Sequence, residues 1–268
     1  MSNELNKVMF WGNSLPNYVS NTSPSQSIRP DFRASEQNLD KYTTQDAITK
    51  LYRANPKISK ILAQNSIPLI LNMDGLNRVM AEHARTTRQT VLGISKNLPF
   101  NMYALSNNKA LADAAYLHDL GKVFIPKEIL DKNGKLNPLE QKIMHTHSEL
   151  GYELLKTTDL DEKTLNLIRN HHQNPLKTGY PNVNQNFFAD LNLQILSLAD
   201  KYSALTERRA YKAPMTRESA LAILYDDVKN GITNPIVYNS LVKYTAPPTS
   251  EHYLKGGYLP NVIDNRKA

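Results

Sequence analysis

Four of the chain's seven histidines fall on the apolar faces of separate predicted helices. These are His83, His118, His147 and His172, and Asp200 continues the apolar face of a further helix. Burying four imidazoles and a carboxylate in one core would leave many polar groups without partners. Side chains that converge from several helices on a shared cation would remove that cost. The pattern therefore predicts a metal centre inside a helical bundle.

Helical periodicity dominates the chain from about residue 43 onward, and strand-like alternation is rare, so the predicted fold class is all-α. The predicted helices cover about 44–65 with an interruption at Pro56, 74–98, 109–120, a helix that begins at Asn137-Pro138, 161–173, 190–207, 216–229 and 234–244. The helix at Asn137-Pro138 starts with a capping residue and a first-turn proline. Its predicted inner face consists of Leu139, Ile143, His147, Leu150 and Leu154.

Composition divides the chain into four segments. Residues 1–42 are rich in Ser, Asn, Pro and Gln and are predicted to form a poorly structured N-terminal arm. A preceding helical segment at 43–72, the main helical domain at 73–246 and a C-terminal tail at 247–268 follow.

The amino-acid composition limits the ligands and partners. The chain has no cysteine, which excludes disulfides and thiolate ligands and leaves His, Asp and Glu to bind metal. A net charge of +7 favours anionic partners, but no Lys/Arg block stands out, so a long nucleic acid is not predicted. The N-terminus lacks a signal-peptide core, and no apolar run reaches about 18 residues. We therefore predict no membrane span and a cytoplasmic protein.

Five motifs occur in order and carry a family resemblance: HDLGK at 118–122, PKEIL at 126–130, MHTHSELG at 144–151, HHQNPLKTGYP at 171–181 and LADKYSALTERRAYK at 198–212. With His83 they give the order H…HD…H…HH…D, which resembles the HD superfamily of metal-dependent phosphohydrolases. The closer likeness is to the HD-GYP branch, which hydrolyses cyclic dinucleotides, chiefly cyclic di-GMP. The resemblance covers about residues 76–215 and implies an HD-domain helical bundle.

The resemblance implies a site with two divalent transition metals. One metal would be held by His83, His118, Asp119 and Asp200, and Asp119 would bridge to a second metal held by His147, His171 and His172. Iron or manganese is the expected metal, with zinc and nickel as alternatives. Some family members hold a third metal through a glutamate one helical turn before the first histidine. That position is Val79 here, so two metals are expected.

The resemblance also implies an activity and its residues. We expect a phosphodiesterase that cleaves a cyclic dinucleotide, cyclic di-GMP first, to a linear dinucleotide or mononucleotide. Asp119 and Lys122 would be catalytic, because a lysine can stabilise charge that builds on a phosphate oxygen in the transition state. The positions that match substrate contacts in the family are Lys122, Tyr180, Arg209 and Lys212.

The sequence departs from the HD-GYP pattern in one loop. The usual HHE reads His171-His172-Gln173, and the usual Asp-Gly before GYP reads Leu176-Lys177, whereas Gly179-Tyr180-Pro181 is intact. The altered loop leaves two alternatives open: a broader HD-type nucleotide phosphohydrolase, and a catalytically weak sensor that binds a dinucleotide. A protein partner or a homodimer is also left open, and His145 and His252 have no predicted role.

Overall fold

The computed structural model describes residues 38–207 and 213–247. Its α-helices are α1 (Gln45–Ala54), α2 (Pro56–Gln64), α3 (Met73–Arg78), α4 (Ala84–Lys96), α5 (Phe100–Tyr103), α6 (Asn108–Leu117), α7 (Lys127–Leu130), α8 (Pro138–Leu155), α9 (Glu162–Asn170), α10 (Leu191–Thr206), α11 (Arg217–Lys229) and α12 (Pro235–Tyr244). A π-helical turn, Val79–His83, joins α3 to α4, and 3-10 turns lie at Asp40–Tyr42 and Leu120–Phe124. These described residues contain no strand, so the all-α prediction is confirmed.

Side-chain caps determine where most of the helices begin. Each capping side chain accepts a hydrogen bond from a backbone N–H of the first turn, which otherwise has no partner within the helix. The capping residues are Thr44, Asn55, Asn72, Asn107, Asn137, Asp161, Asp190, Thr216 and Asn234. The predicted start at Asn137-Pro138 is confirmed: Asn137 and Glu140 bond each other's backbone N–H, which forms a capping box.

The helices that carry the candidate ligands share one apolar core. Helix α4 packs against α6, α10 and α12, and α8 packs against α9 and the 3-10 turn that follows α6. Helices α1 and α2 also pack against α8. The buried apolar side chains form a continuous cluster that extends from Ile48 in α1 to Leu241 in α12. The segment 43–72 therefore contributes to the same core as the helices that follow it.

Four details of the predicted helices are wrong. The helix expected over 161–173 ends at Asn170, so the histidine pair lies after it. The helix expected over 74–98 is interrupted by the π turn at Val79–His83. The helix expected over 109–120 ends at Leu117, and Gly121 lies inside the following 3-10 turn. Leu139, placed on the inner face of α8, is 64% exposed because the first turn of this helix extends beyond the core, which begins at Ile143.

Little of the two predicted end segments lies within the described residues. Of the arm at 1–42 only residues 38–42 are described, and there Leu39 and Tyr42 are buried. Of the tail at 247–268 only Pro247 is described. Over residues 38–207 and 213–247, the helices are all too short or too polar to cross a membrane.

Candidate metal centre

Five separate parts of the fold bring the predicted ligands to one buried place. His83 ends the π turn, His118 and Asp119 follow α6, His147 lies in α8, His171 and His172 follow α9, and Asp200 lies in α10. Six of these side chains belong to residues no more than 9% exposed, and His172 is partly buried. The sequence expectation that these residues meet in space agrees with the structure.

Three of the histidines are held in one tautomer by their own helices. The Nδ1 atoms of His118, His147 and His171 lie 2.8, 2.7 and 2.7 Å from the carbonyl oxygens of the residues three positions earlier. A carbonyl oxygen only accepts, so each Nδ1 must carry the proton. In the neutral imidazole Nε2 is then left with a free lone pair. Each of the three rings can therefore offer an Nε2 lone pair to a cation whenever it is neutral.

The Nε2 atoms and carboxylates are crowded around Asp119. His147 Nε2 lies 3.3 Å from Asp119 Oδ1 and 3.2 Å from His171 Nε2. His118 Nε2 lies 3.4 Å from Asp119 Oδ2 and 3.6 Å from Asp200 Oδ1. Two Nε2 lone pairs facing each other at 3.2 Å repel unless a cation or a proton lies near both. The arrangement therefore calls for positive charge at its centre.

The ligand atoms form two groups of three that meet at Asp119. One group is His83, His118 and Asp200, and the other is His147, His171 and His172; within each, the ligand atoms lie within 4.8 Å of one another. A third group, His118, Asp119 and His171, joins them. Apart from Asp119, the first two groups have the same members as the two ligand sets implied by the family resemblance.

Two buried atoms support the fit of this donor set to metal. His118 Nε2 and Asp119 Oδ1 make no hydrogen bond within the described residues, although both are inaccessible to water. A buried polar atom without a partner costs about 1–3 kcal/mol, and more if it is charged. Imidazole nitrogen with carboxylate oxygen suits first-row divalent metals. The residues present therefore fit a divalent metal centre.

The two groups differ in the charge that their histidines carry. Burial opposes a charge on His118, but the carboxylates of Asp119 and Asp200 outweigh it and raise its pKa to about 10. Burial lowers the pKa of His147 to about 3 and that of His172 to about 4. Burial and its neighbouring histidines hold the pKa of His171 well below its usual value. A proton thus occupies one side of the centre, while the other side is neutral.

The carboxylates stay ionised despite their burial. Burial would raise the pKa of Asp119, yet His118, Lys122 and His147 hold it well below the usual value. Burial likewise opposes the charge on Asp200, but the nearby imidazole of His118 and a hydrogen bond from His83 keep its pKa low. Both side chains can therefore serve as anionic ligands at neutral pH.

The structure places two of the four predicted substrate contacts beside the centre. Lys122 Nζ lies 2.6 Å from Asp119 Oδ2, and its side chain is 19% exposed, so it reaches the site from the rim. The ring of Tyr180 stacks on His145 with centroids 3.8 Å apart and lies 4.4 Å from His172. Arg209 and Lys212 lie outside the described residues.

The 171–181 loop, which differs from the HD-GYP pattern, is held in place by Gln173, one of the residues that differ. Gln173 is 2% exposed, and its Nε2 donates to the carbonyl of Pro181 at 2.6 Å. A Cβ on Gly179 would lie 1.9 Å from the carbonyl oxygen of His172, so only glycine fits there. Gln173 therefore ties the Gly179-Tyr180-Pro181 turn to the histidine pair.

Two residues without a predicted role contact residues of the site. His145 stacks on Tyr180, and Glu207 Oε2 lies 2.8 Å from His83 Nδ1. Glu207 directly follows α10 and is seven positions after Asp200. In the helix predicted over 190–207 this spacing puts both residues on one face, so it could have indicated Glu207. No sequence signal indicates His145, because its contact depends on where the 171–181 loop folds.

Comparison with known proteins identifies the family. The HD-domain family model matches residues 72–232, which is more than half of the chain. The chain therefore belongs to the HD-domain family.

Its relatives share a part of their length with it. The 3'3'-cGAMP-specific phosphodiesterase 1 of Vibrio cholerae serotype O1 is 28% identical over 171 residues, 64% of this chain and 39% of that protein. The cyclic di-GMP phosphodiesterase response regulator RpfG of Xanthomonas campestris pv. campestris is 38% identical over 115 residues, 42% of this chain and 30% of that protein. The chain thus spans well under half the length of these relatives.

One solved structure shares the fold. An HDG"Y"P protein from Bdellovibrio bacteriovorus superposes with a TM-score of 0.52 and 14% identity, over 79% of this chain and 68% of that one. Together with the family match and the named relatives, it confirms the resemblance found in the sequence.

Proposed function

We propose that this protein is a metal-dependent phosphodiesterase that hydrolyses a cyclic dinucleotide. The observation that carries the proposal is the pair of buried ligand groups that meet at Asp119. Two divalent metals held close together are a common device for cleaving phosphodiesters. The relatives support the substrate class, since their names include phosphodiesterases for cyclic di-GMP and for 3'3'-cGAMP.

The proposed ligands follow the two groups. His83, His118, Asp119 and Asp200 would hold one metal, and Asp119, His147, His171 and His172 the other. When bound, the metals supply positive charge for the phosphodiester and the acidity that makes water a nucleophile near neutral pH. Iron or manganese is the proposed metal, and zinc and nickel are the alternatives.

The chain's own residues orient the ligands in buried surroundings. The carbonyl bonds to Nδ1 fix the rings of His118, His147 and His171 before metal arrives. Buried surroundings strengthen every electrostatic contact with the substrate's phosphate. Lys122 is proposed to move its ammonium group from Asp119 Oδ2 to a phosphate oxygen, where negative charge develops.

Tyr180 is proposed to contact the substrate at the rim of its ring. Because the Tyr180 ring already stacks on His145 and approaches His172, a base that stacks fully on Tyr180 would have to displace one of them. We therefore propose that the substrate meets the edge of the Tyr180 ring. The phosphate contacts expected of Arg209 and Lys212 remain proposals, as do a protein partner, a homodimer and a cytoplasmic location.

The substrate assay is the direct test. Purified protein loaded with ferrous or manganous ion under reducing conditions is incubated with cyclic di-GMP, with 3'3'-cGAMP and with a simple nucleoside triphosphate. The proposal expects linear dinucleotide or mononucleotide from at least one cyclic dinucleotide. Cleavage of the triphosphate alone would favour a broader nucleotide phosphohydrolase. Tight binding of a cyclic dinucleotide without products would favour the sensor, and either result would overturn the proposal.

A further inference from the structure

His83 lacks the backbone hydrogen bond found at three of the other histidines in the centre. His118, His147 and His171 donate from Nδ1 to carbonyls of their own segments. His83 instead has its Nδ1 2.8 Å from Oε2 of Glu207, which comes from the end of α10. A carboxylate from another part of the fold therefore binds Nδ1 of His83, as backbone carbonyls bind Nδ1 of the other three histidines.

Glu207 is placed as a partner of His83 and not as a ligand. Its side chain is 9% exposed, and it approaches the Nδ1 edge of the imidazole, whereas Nε2 faces Asp200 Oδ1 at 3.0 Å. The grouped ligand atoms of the centre include His83 and Asp200 but not Glu207. Glu207 thus contacts the ring from the side away from the candidate metal position.

The contact has a defined chemical effect. An ionised carboxylate only accepts hydrogen bonds, so a close Glu207 oxygen requires the proton of His83 to be on Nδ1. When a cation displaces the Nε2 proton that faces Asp200, Nε2 can offer its lone pair, and the hydrogen bond at Nδ1 also makes the imidazole a more basic ligand. The other oxygen, Oε1, is buried without a hydrogen-bond partner among the described residues. Burying a carboxylate oxygen without a partner lowers the stability of the fold, and we take this cost as support for a functional role of Glu207.

We propose that Glu207 is a positioning residue that fixes the tautomer and orientation of His83 toward the metal at the His83, His118 and Asp200 group. The inference rests on the proposed function for the assignment of His83 as a ligand. It adds to the predicted ligand set a carboxylate that acts through His83.

The test measures metal affinity in the full-length protein. Metal content per chain and dissociation constants from chelator competition are compared for wild type, Glu207→Ala, Glu207→Gln, His83→Ala and the Glu207→Ala/His83→Ala double variant. Glu82→Ala is the matched control, because it removes an exposed glutamate next to His83 in sequence. Circular dichroism checks that each variant is folded.

Four outcomes support the proposal. Glu207→Ala should weaken binding of one metal by about 10–100-fold, the usual effect of losing such a partner. Glu207→Gln keeps an oxygen that accepts from Nδ1 and should recover most of that loss, which a purely structural role would not require. Glu82→Ala should bind like wild type. The double variant should be no weaker than His83→Ala, since Glu207 acts only through that ring.

Two outcomes overturn it. One is a Glu207→Ala protein with wild-type affinity for both metals. The other is a double variant clearly weaker than His83→Ala, which would mean that Glu207 binds metal by itself. The proposed function fails separately: wild type that binds two metals but cleaves no cyclic dinucleotide would refute the enzyme and leave the role of Glu207 intact.

Discussion

Asp119 connects the two halves of the candidate centre. Its Oδ1 faces His147 of one group, and its Oδ2 lies 3.4 Å from His118 of the other and 2.6 Å from Lys122. One carboxylate that reaches both groups can fix the distance between two cations. The positive groups around it keep it ionised although it is 1% exposed.

Gln173 stands where the HD-GYP pattern has glutamate, and its neutral amide suits the buried position that it occupies. Its amide donates to the Pro181 carbonyl, which an ionised glutamate could not do. We predict that Gln173→Glu destabilises the protein by about 1–3 kcal/mol at pH 7, because a buried charge would face an acceptor. The difference in free energy of unfolding between Gln173→Glu and wild type should shrink as the pH falls, because the new carboxyl then gains a proton that it can donate.

Denaturant unfolding at pH 7 and at pH 4.5 measures this effect. Gln185→Glu is the control, since Gln185 is exposed in the same loop and should tolerate the charge. Equal stability of Gln173→Glu and Gln185→Glu at pH 7 would show that the Pro181 contact is unimportant.

The contrast in histidine pKa values predicts how metal binding depends on pH. His118, with a pKa of about 10, is protonated at pH 8 in the metal-free protein, so a metal must displace that proton. His147 and His172, with pKa values of about 3 and 4, are already neutral and release none. Affinity on the His118 side should therefore fall about tenfold for each pH unit below 8.

Calorimetry in buffers of different ionisation enthalpy counts the released protons. At pH 8 we expect about one proton per chain on full loading, mainly from His118. His83, whose pKa is also raised despite its burial, adds to the release in the same direction. Loading without any proton release would contradict the assigned charge of His118.

At the scale of the elements, the contact between α8 and the 3-10 turn after α6 holds His147 against Asp119. A Cβ on Gly121 would lie 2.0 Å from the backbone oxygen of His147 and 2.5 Å from the nitrogen of Gly151. Backbone atoms cannot rotate aside, so we predict that Gly121→Ala costs about 3 kcal/mol and weakens metal binding. Thermal unfolding and metal content measure both effects.

Gly151→Ala is the comparison for this prediction. Its Cβ would approach Gly121 only to 3.3 Å, a contact that a small shift relieves. Gly151→Ala should therefore lower the melting temperature less than Gly121→Ala does. If the two alanine variants are equally stable, the close packing of these elements is not what positions His147.

Most helix positions could be predicted from the sequence because their starts are marked by local chemistry. Asn137, Asp161, Asp190, Thr216 and Asn234 cap helices that begin within about two residues of the predicted starts. The short helices α5 and α7 carry no such side-chain cap and were not predicted. The π turn was not predicted either, because the buried positions Met80, His83 and Thr87 keep the three- and four-residue spacing of an ordinary α-helix.

Part of the site could also be predicted from the sequence. The ligands occur in the order of the family motifs, and His147 and Asp200 lie on the inner faces of α8 and α10, so both signals are visible in the sequence. The contacts of His145 with Tyr180 and of Gln173 with Pro181 depend on the path of an irregular loop, which no periodicity encodes. The contact of Glu207 with His83 depends on how α10 packs beside the π turn.

At the scale of the molecule, one core supports all the elements that carry ligands. Ile58 in α2 is fully buried and belongs to the same cluster as residues of α6 and α10. We predict that Ile58→Ala costs about 2–5 kcal/mol and that unfolding remains a single transition. The exposed Ile70, at 68%, provides the control, and Ile70→Ala should change little.

Circular dichroism and hydrogen exchange together test this cooperativity. Amides of α1 and α2 should be protected as strongly as those of α10. Early exchange confined to α1 and α2 would instead mean that the segment 43–72 is a separate unit attached to the family domain.

Ligands from five parts of the chain are proposed to share metal through Asp119. Elemental analysis of the protein after anaerobic loading tests this proposal most directly, on wild type, Asp119→Ala and the isosteric Asp119→Asn. We predict about two transition-metal ions per wild-type chain and almost none in the folded Asp119 variants. Wild type without transition metal, or Asp119→Asn that retains both ions, would contradict the proposal.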